Sequence, residues 1–167
     1  MTSSPPPSAP GPTPPPAPLA LLRERYPAHA SGFLRPLLEL LSLSREACGG
    51  DLDKLLILLV IGLRSTQHRD FARYTQDQLL SGEVPIFPTL GVNIQSVADS
   101  LHAPKETMRR KVTELVEAGW IHREANNLSF TARGYQDLAP VRERIELMAL
   151  ENYELVEAIL REGHNGT

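Results

Sequence analysis

The sequence predicts a mostly α-helical protein carrying one small β-hairpin, and three observations predict it. Apolar residues recur at helical spacing in two adjoining runs between Asn93 and Ala118, broken only at His102-Ala103-Pro104. Trp120 to Thr131 instead alternates apolar and polar residues in two short runs. After Pro140 apolar residues recur at steps of four and three, the spacing of a long packed helix.

Residues 1–18 hold nine of the fifteen prolines, interleaved with Ser, Ala, Thr and Gly. Such a segment has too little apolar surface to offset the entropy of ordering, so a disordered, solvated tail is expected. No basic residue accompanies the prolines to orient a docked proline-rich segment, which favours a tail over a ligand for another domain. Leu19–Tyr26 reads as a short helix stopped by Pro27, followed by a flexible Ala28–Gly32. A second helix is expected from Phe33 to Leu41, with Pro36 in its first turn, before Gly49-Gly50 breaks the chain.

Asp51 can cap the helix that follows, whose middle is apolar on every side and is therefore expected to be buried on every side, either at the centre of the fold or sandwiched between its own domain and a partner. His68–Ser81 reads as helical. Gly82–Gly91, with two prolines, reads as a loop bearing a short strand that joins the hairpin as its third. Residues 19–92 are thus expected to form a scaffold or dimerisation region.

Residues 93–134 are the stretch on which the rest is organised. Asn93 can cap a short helix with Ile94, Val97, Ala98 and Leu101 at core spacing. Pro104 suits the first position of a second helix, over 104–118, because it presets φ and has no N–H to leave unsatisfied. In that helix Met108, Val112, Leu115 and Val116 share one face. Glu106, Thr107, Arg110 and Thr113 share the other, flanked by Arg109 and Lys111, with Lys105 in the first turn. Gly119 suits the left-handed helix terminus. Residues 120–131 form the hairpin, turning at Asn126-Asn127. Helix, turn, helix and hairpin in this order make a winged helix-turn-helix flanked by long helices of the dimerisation type.

The run SVADSL…APKETMRRKVTELVEAGWIHR…LSFTARG resembles bacterial winged-helix transcriptional regulators, broadly those like the MarR and IclR families, in particular those with a proline-opened P-x-E-T-x-R-R-K-V recognition helix. The resemblance is strong over about a quarter of the chain. It implies sequence-selective DNA binding by a dimer, with the second helix in the major groove.

Residues 135–163 read as one long helix, opened by Pro140, with Val141, Ile145, Met148, Asn152, Leu155 and Ile159 in a heptad-like seam. Ile145, Met148, Asn152, Leu155 and Ile159 are the expected dimerisation residues. Asn152 either fixes register in that seam or sits at its wet edge. Residues 164–167 are an expected disordered tail.

The formal net charge is −3. Between His102 and Arg133, however, six Lys or Arg stand against four Glu, whereas from Gly134 onward three Arg stand against seven acids. What matters for nucleic acid is where charge sits, and the basic part is the expected reading head. One cysteine, Cys48, excludes an intramolecular disulfide and reads as structurally inert, with an intersubunit redox switch as the alternative. The five histidines are scattered and have no zinc-site spacing. There is also no phosphate-cradling loop, nucleophile elbow or His-Glu-x-x-His, so no metal, cofactor or catalytic residue is expected. Leu55–Leu63 is too short to span a bilayer, and a soluble, cytoplasmic protein is expected.

The expected function is a sequence-specific transcriptional regulator binding an inverted-repeat operator as a homodimer. Arg110 is the candidate for guanine and Glu106 for cytosine. Thr107 and Thr113 would meet a thymine methyl or a phosphate, while Lys105, Arg109 and Lys111 would hold phosphates. Arg123, Asn126 and Asn127 would reach an adjacent groove from the hairpin. His122 either joins them or is an ordinary surface histidine. An unidentified small-molecule effector is compatible with this reading. The alternative function is a winged-helix protein-interaction module whose acidic C-terminal helix is the binding surface.

Overall fold

The computed structural model describes residues 17–165. The expected tail over 1–18 lies outside them except at Ala17 and Pro18, and of the expected tail over 164–167, His164 and Asn165 end a helix. In order the elements are α1 (Ala17–Ala47), α2 (Leu52–Thr66), a single 3₁₀ turn (Phe71–Arg73), α3 (Gln76–Ser81), α4 (Ile94–Leu101), α5 (Lys105–Glu117), β1 (Ile121–Glu124), β2 (Asn127–Phe130), α6 (Ala132–Asp137) and α7 (Ala139–Asn165). The chain is therefore mostly helical with one antiparallel hairpin. No described helix is long and apolar enough to cross a membrane. The described residues divide into two compact units, Leu37–Met148 and the described stretches on either side of it.

In the larger unit α2 supplies the middle of the core. Asp51 caps it by accepting from the Asp53 N–H at 3.0 Å, satisfying a donor that the first turn leaves unpaired. Ile57 and Ile61 are completely buried and meet Val97 of α4, Met108, Val112 and Leu115 of α5, and Leu128 of β2 in one cluster. Of the two expected ways for α2 to be buried all round, the centre of its own fold is corrected. Leu56, Leu59 and Leu63 remain substantially exposed among the described residues.

The hairpin pairs Ile121 with Phe130 and Glu124 with Asn127. Ala125, not an asparagine, takes the positive φ (+50°) at its turn. The expected third strand is reduced to one bridge, Ile86 to Thr131, flanked by bonds from the Phe87 N–H to the Phe130 carbonyl (2.9 Å) and from the Ala132 N–H to the Pro85 carbonyl (3.0 Å). Phe87 is buried among Phe71, Phe130 and Tyr135, with ring centroids 5.4–6.0 Å away. The continuous helix expected over His68–Ser81 is interrupted. Tyr74 is extended, and Thr75 begins α3 with a capping box to Gln78.

The smaller unit corrects the reading of residues 19–41. Pro27 and Pro36 lie inside one helix, α1, although each removes a backbone hydrogen bond. The segment expected to be flexible, Ala28–Gly32, is held against the last part of α7. A Cβ on Gly32 would fall 2.7 Å from Leu155 Cδ2, and His29 Nε2 lies 3.5 Å from a Glu162 carboxylate oxygen. Tyr26 and Phe33 stack across the Pro27 turn at 6.2 Å. These tertiary contacts offset the local cost of proline.

They also use part of the seam expected to dimerise. Ile159 is completely buried within its own chain, and Leu155 packs on Gly32. Asn152 is half-buried, with its Oδ1 unpartnered among the described residues. Met148 is half-buried and Ile145 is exposed at the edge of a cavity.

Candidate nucleic-acid interface

Helix α4 begins at a reciprocal cap: Asn93 Oδ1 accepts from the Ser96 N–H at 3.0 Å, and Ser96 Oγ accepts from the Asn93 N–H at 2.8 Å. It ends at His102, whose φ of +49° turns the chain, and the Ala103 N–H bonds back to the Ala98 carbonyl at 3.0 Å. Pro104 then caps α5 rather than opening it. Its extended backbone presents the carbonyl that accepts from the Met108 N–H at 3.1 Å. Two buried stripes, Ile94, Val97 and Ala98 on α4 and Met108, Val112 and Leu115 on α5, fix the angle of the pair against α2.

The far end of α5 is anchored as firmly. Gly119 takes φ +77°, and the Trp120 N–H reaches the Leu115 carbonyl at 3.0 Å, a Schellman closure. The Thr131 hydroxyl donates to the Gly119 carbonyl (2.7 Å) and accepts from the Gly134 N–H (3.1 Å), which joins the end of α5 to the start of α6. The Trp120 indole N–H donates to Asp137 at 2.8 Å. Helix α6 is missing from the sequence-based expectation. Thr131 with Gly134 three residues on is the signal, since a Cβ on Gly134 would fall 2.8 Å from the Trp120 carbonyl oxygen.

With this frame in place, Lys105, Glu106, Arg109, Arg110 and Thr113 are all exposed on α5, and Thr107 is half-buried. Arg109 pairs loosely with Glu106 at 3.6 Å, and the Thr113 hydroxyl donates to the Arg109 carbonyl. Arg110 and Lys105 have no hydrogen-bond or ion-pair partner among the described residues. Arg123 and Asn126 are exposed at the hairpin, where Arg123 Nε lies 3.4 Å from the Ala125 carbonyl. His122 is half-buried on β1.

Two expected contacts are placed otherwise. Asn127 Oδ1 accepts from the Val92 N–H at 3.0 Å while the Leu128 N–H bonds the Val92 carbonyl at 2.8 Å, so Asn127 ties the chain before α4 to β2. Lys111 is buried. Its ammonium pairs with Asp51 and, at 3.0 Å, with Asp53 at the start of α2. A lysine so placed is turned into the fold with its charge matched by two carboxylates.

Burial alone would raise the Asp51 carboxyl, but the Lys111 ammonium bonded to it holds it below the usual carboxylate range. Burial likewise works against the Lys111 charge, and the two carboxylates overcome it and raise its pKa. Beside them Lys54 pairs with Glu114 at 2.7 Å, and that hydrogen bond lowers the Glu114 carboxyl. The signal for Lys111 lay in the helix period. Met108, Lys111, Val112 and Leu115 follow the i, i+3, i+4, i+7 spacing of the buried stripe.

Cys48 is buried, and burial raises its thiol. The chain was compared with protein-family models, with curated proteins and with solved structures, and none of the three comparisons gave a match.

Proposed function

We propose that α4, α5 and the hairpin form a winged helix-turn-helix that binds double-stranded DNA sequence-specifically, with α5 in the major groove, and that the protein acts as a homodimeric transcriptional regulator on an inverted repeat. The observation that carries this reading is the unspent charge on α5. Arg110 and Lys105 project from a helix whose opposite face is buried, and neither makes a hydrogen bond or ion pair with another described residue, although Arg110 lies near enough to Glu114 to act on it through charge. Arg110, central on that face, makes the bidentate contact to guanine, and Glu106 accepts from cytosine. Lys105 and Arg109 position the helix on phosphates, with Arg123 and Asn126 doing the same from the hairpin. Lys111 and Asn127 are not part of this surface.

A randomised duplex library, selected on the full chain at moderate salt, tests the reading. An enriched inverted repeat, lost for Arg110→Ala, is expected, because one bidentate contact contributes roughly 1–3 kcal/mol of base discrimination. Enrichment without any motif, or none at all, transfers the proposal to a protein-interaction module.

A further inference from the structure

The smaller unit, described over residues 17–36 and 149–165, pairs the first part of α1 with the last part of α7 and buries little by itself. Among its described side chains only Pro36 and Ile159 are buried. The two segments run antiparallel. Gly32 lies beside Leu155, and Leu21, earlier in α1, lies beside Gly163, later in α7.

Away from that contact α1 carries a second apolar stripe. Leu19, Leu22, Tyr26, Ala30 and Phe33 follow steps of three, four, four and three, the spacing of one helix face. Leu19 is 38% and Tyr26 45% exposed, and on α7 Tyr153 is 63% exposed. At 3.6 residues per turn, Tyr26 and Phe33 lie roughly a third of a turn round from Leu21 and Gly32. Tyr153 lies about as far round, in the same sense, from Leu155 and Gly163. Because the segments run in opposite directions, equal rotations in one sense bring these residues to one side of the pair.

That side is not flat. Leu19, Leu22, Arg23, Tyr26 and Phe33 line a hollow of about 340 Å³, with Tyr26 and Phe33 stacked at 6.2 Å. Every wall of it is a side chain of α1. A site walled by one helix encloses too little of a small molecule, whose pockets bury most of the ligand's surface. It has instead the form of the hole into which a facing helix inserts a side chain.

Charge decides which helix faces it. Residues 17–36 carry three Arg against one Glu, whereas residues 149–165 carry four Glu against one Arg. Two α1 segments face to face would oppose like charges, while α1 of one copy on α7 of another opposes basic to acidic. A two-fold axis makes that contact twice, with the same surface on both copies.

We infer that this face is an interface between two copies of the chain, in which α1 over residues 19–33 of each packs on α7 around Tyr153 of the other and seats one of its side chains in the hollow. The inference names the surface of the homodimer proposed above and rests on that half of the reading, not on DNA binding. It moves the interface off the α7 seam, whose Leu155 and Ile159 are used within the chain.

Sedimentation equilibrium of the full chain without DNA tests it, with circular dichroism reporting the fold. Wild type should be a dimer at working concentration. Tyr26→Glu and Tyr153→Glu should each raise the dimer dissociation constant about tenfold or more, because each places an unpaired carboxylate in a desolvated contact. Leu90→Glu, at a residue comparably exposed (51%) but on the other unit, should leave it unchanged. A wild-type monomer overturns the inference, as do folded Tyr26→Glu and Tyr153→Glu proteins that dimerise like wild type. Deleting residues 1–16 should leave the dimer and the Tyr26 and Phe33 ring NMR signals in place. A deletion that moves those signals without altering the dimer would make the proline-rich segment the occupant instead and overturn the inference. The outcomes separate from the DNA reading: folded variants that still dimerise place the interface elsewhere and leave the homodimer standing, and a dimer that ignores DNA leaves this interface standing.

Discussion

Replacing Lys111 by methionine separates the two roles open to a lysine on α5, the proposed recognition helix. The side chain is 9% exposed and its ammonium sits between Asp51 and Asp53, which are 29% and 51% exposed. Removing one partner of a fully buried pair costs about 3–5 kcal/mol, chiefly because the remaining charge is stranded. Here both carboxylates keep water access, and Asp51 retains the Asp53 N–H, so about 2 kcal/mol is expected. In urea, at a slope of about 2 kcal/mol per molar, the midpoint should fall by roughly 1 M. The same variant should leave the salt dependence of DNA binding unaltered, because no phosphate contact is lost. Lys105→Met should behave oppositely, with stability unmoved and the log–log salt slope reduced by about 0.9. A Lys111→Met protein with wild-type stability and a reduced slope would refute the structural assignment.

Three further outcomes follow from the same contacts. The folded-state pKa of Asp51 lies below its unfolded value, so the unfolded chain binds more protons between the two and the pair stabilises above the unfolded value of about 4, losing this as pH falls through the folded one. Lys111 is raised, so its share persists below about 10.4 and is lost only as pH climbs through the folded value above it. The stability difference between wild type and Lys111→Met should therefore be flat from pH 5 to about 9 and shrink under pH 4, read from urea midpoints. Gly134→Ala should cost roughly 1–3 kcal/mol in the same assay, since the new methyl would meet the Trp120 backbone at 2.8 Å, and an unchanged midpoint would show that α6 shifts freely. Leu37, Leu38 and Leu41 are exposed on α1, Leu38 by 66%, and a second copy is the proposed cover. Sedimentation should show a dimer that Leu38→Glu dissociates, and a wild-type monomer at working concentration would contradict it.

What the sequence made legible is what is decided locally. Asp51 and Asn93 cap the helices that follow them, Gly119 closes α5, and the apolar stripe of α5 is buried as its period requires. What it hid is decided by distant partners. Pro27 and Pro36 read as stops because proline removes a bond locally, yet contacts of His29 and Gly32 with α7 keep α1 continuous. Lys111 read as a free cation because its counter-charges are far away in sequence, and Asn127 read as a turn residue because Val92 was not yet beside it. Ile159 read as an intersubunit contact, whereas the chain buries it by itself. The exposed set on α5 survives this filter as Lys105, Glu106, Arg109, Arg110 and Thr113.

The measurement that tests the central claim most directly is an amide and side-chain NMR titration of the full chain with duplex DNA at low salt, which needs no knowledge of the operator. Shifts concentrated on Lys105, Glu106, Arg109, Arg110 and Thr113 and at the Arg123–Asn126 hairpin tip, with Lys111 Nζ unmoved, are predicted. Shifts confined to α7, or none at any DNA concentration, would contradict a DNA-reading surface on α5.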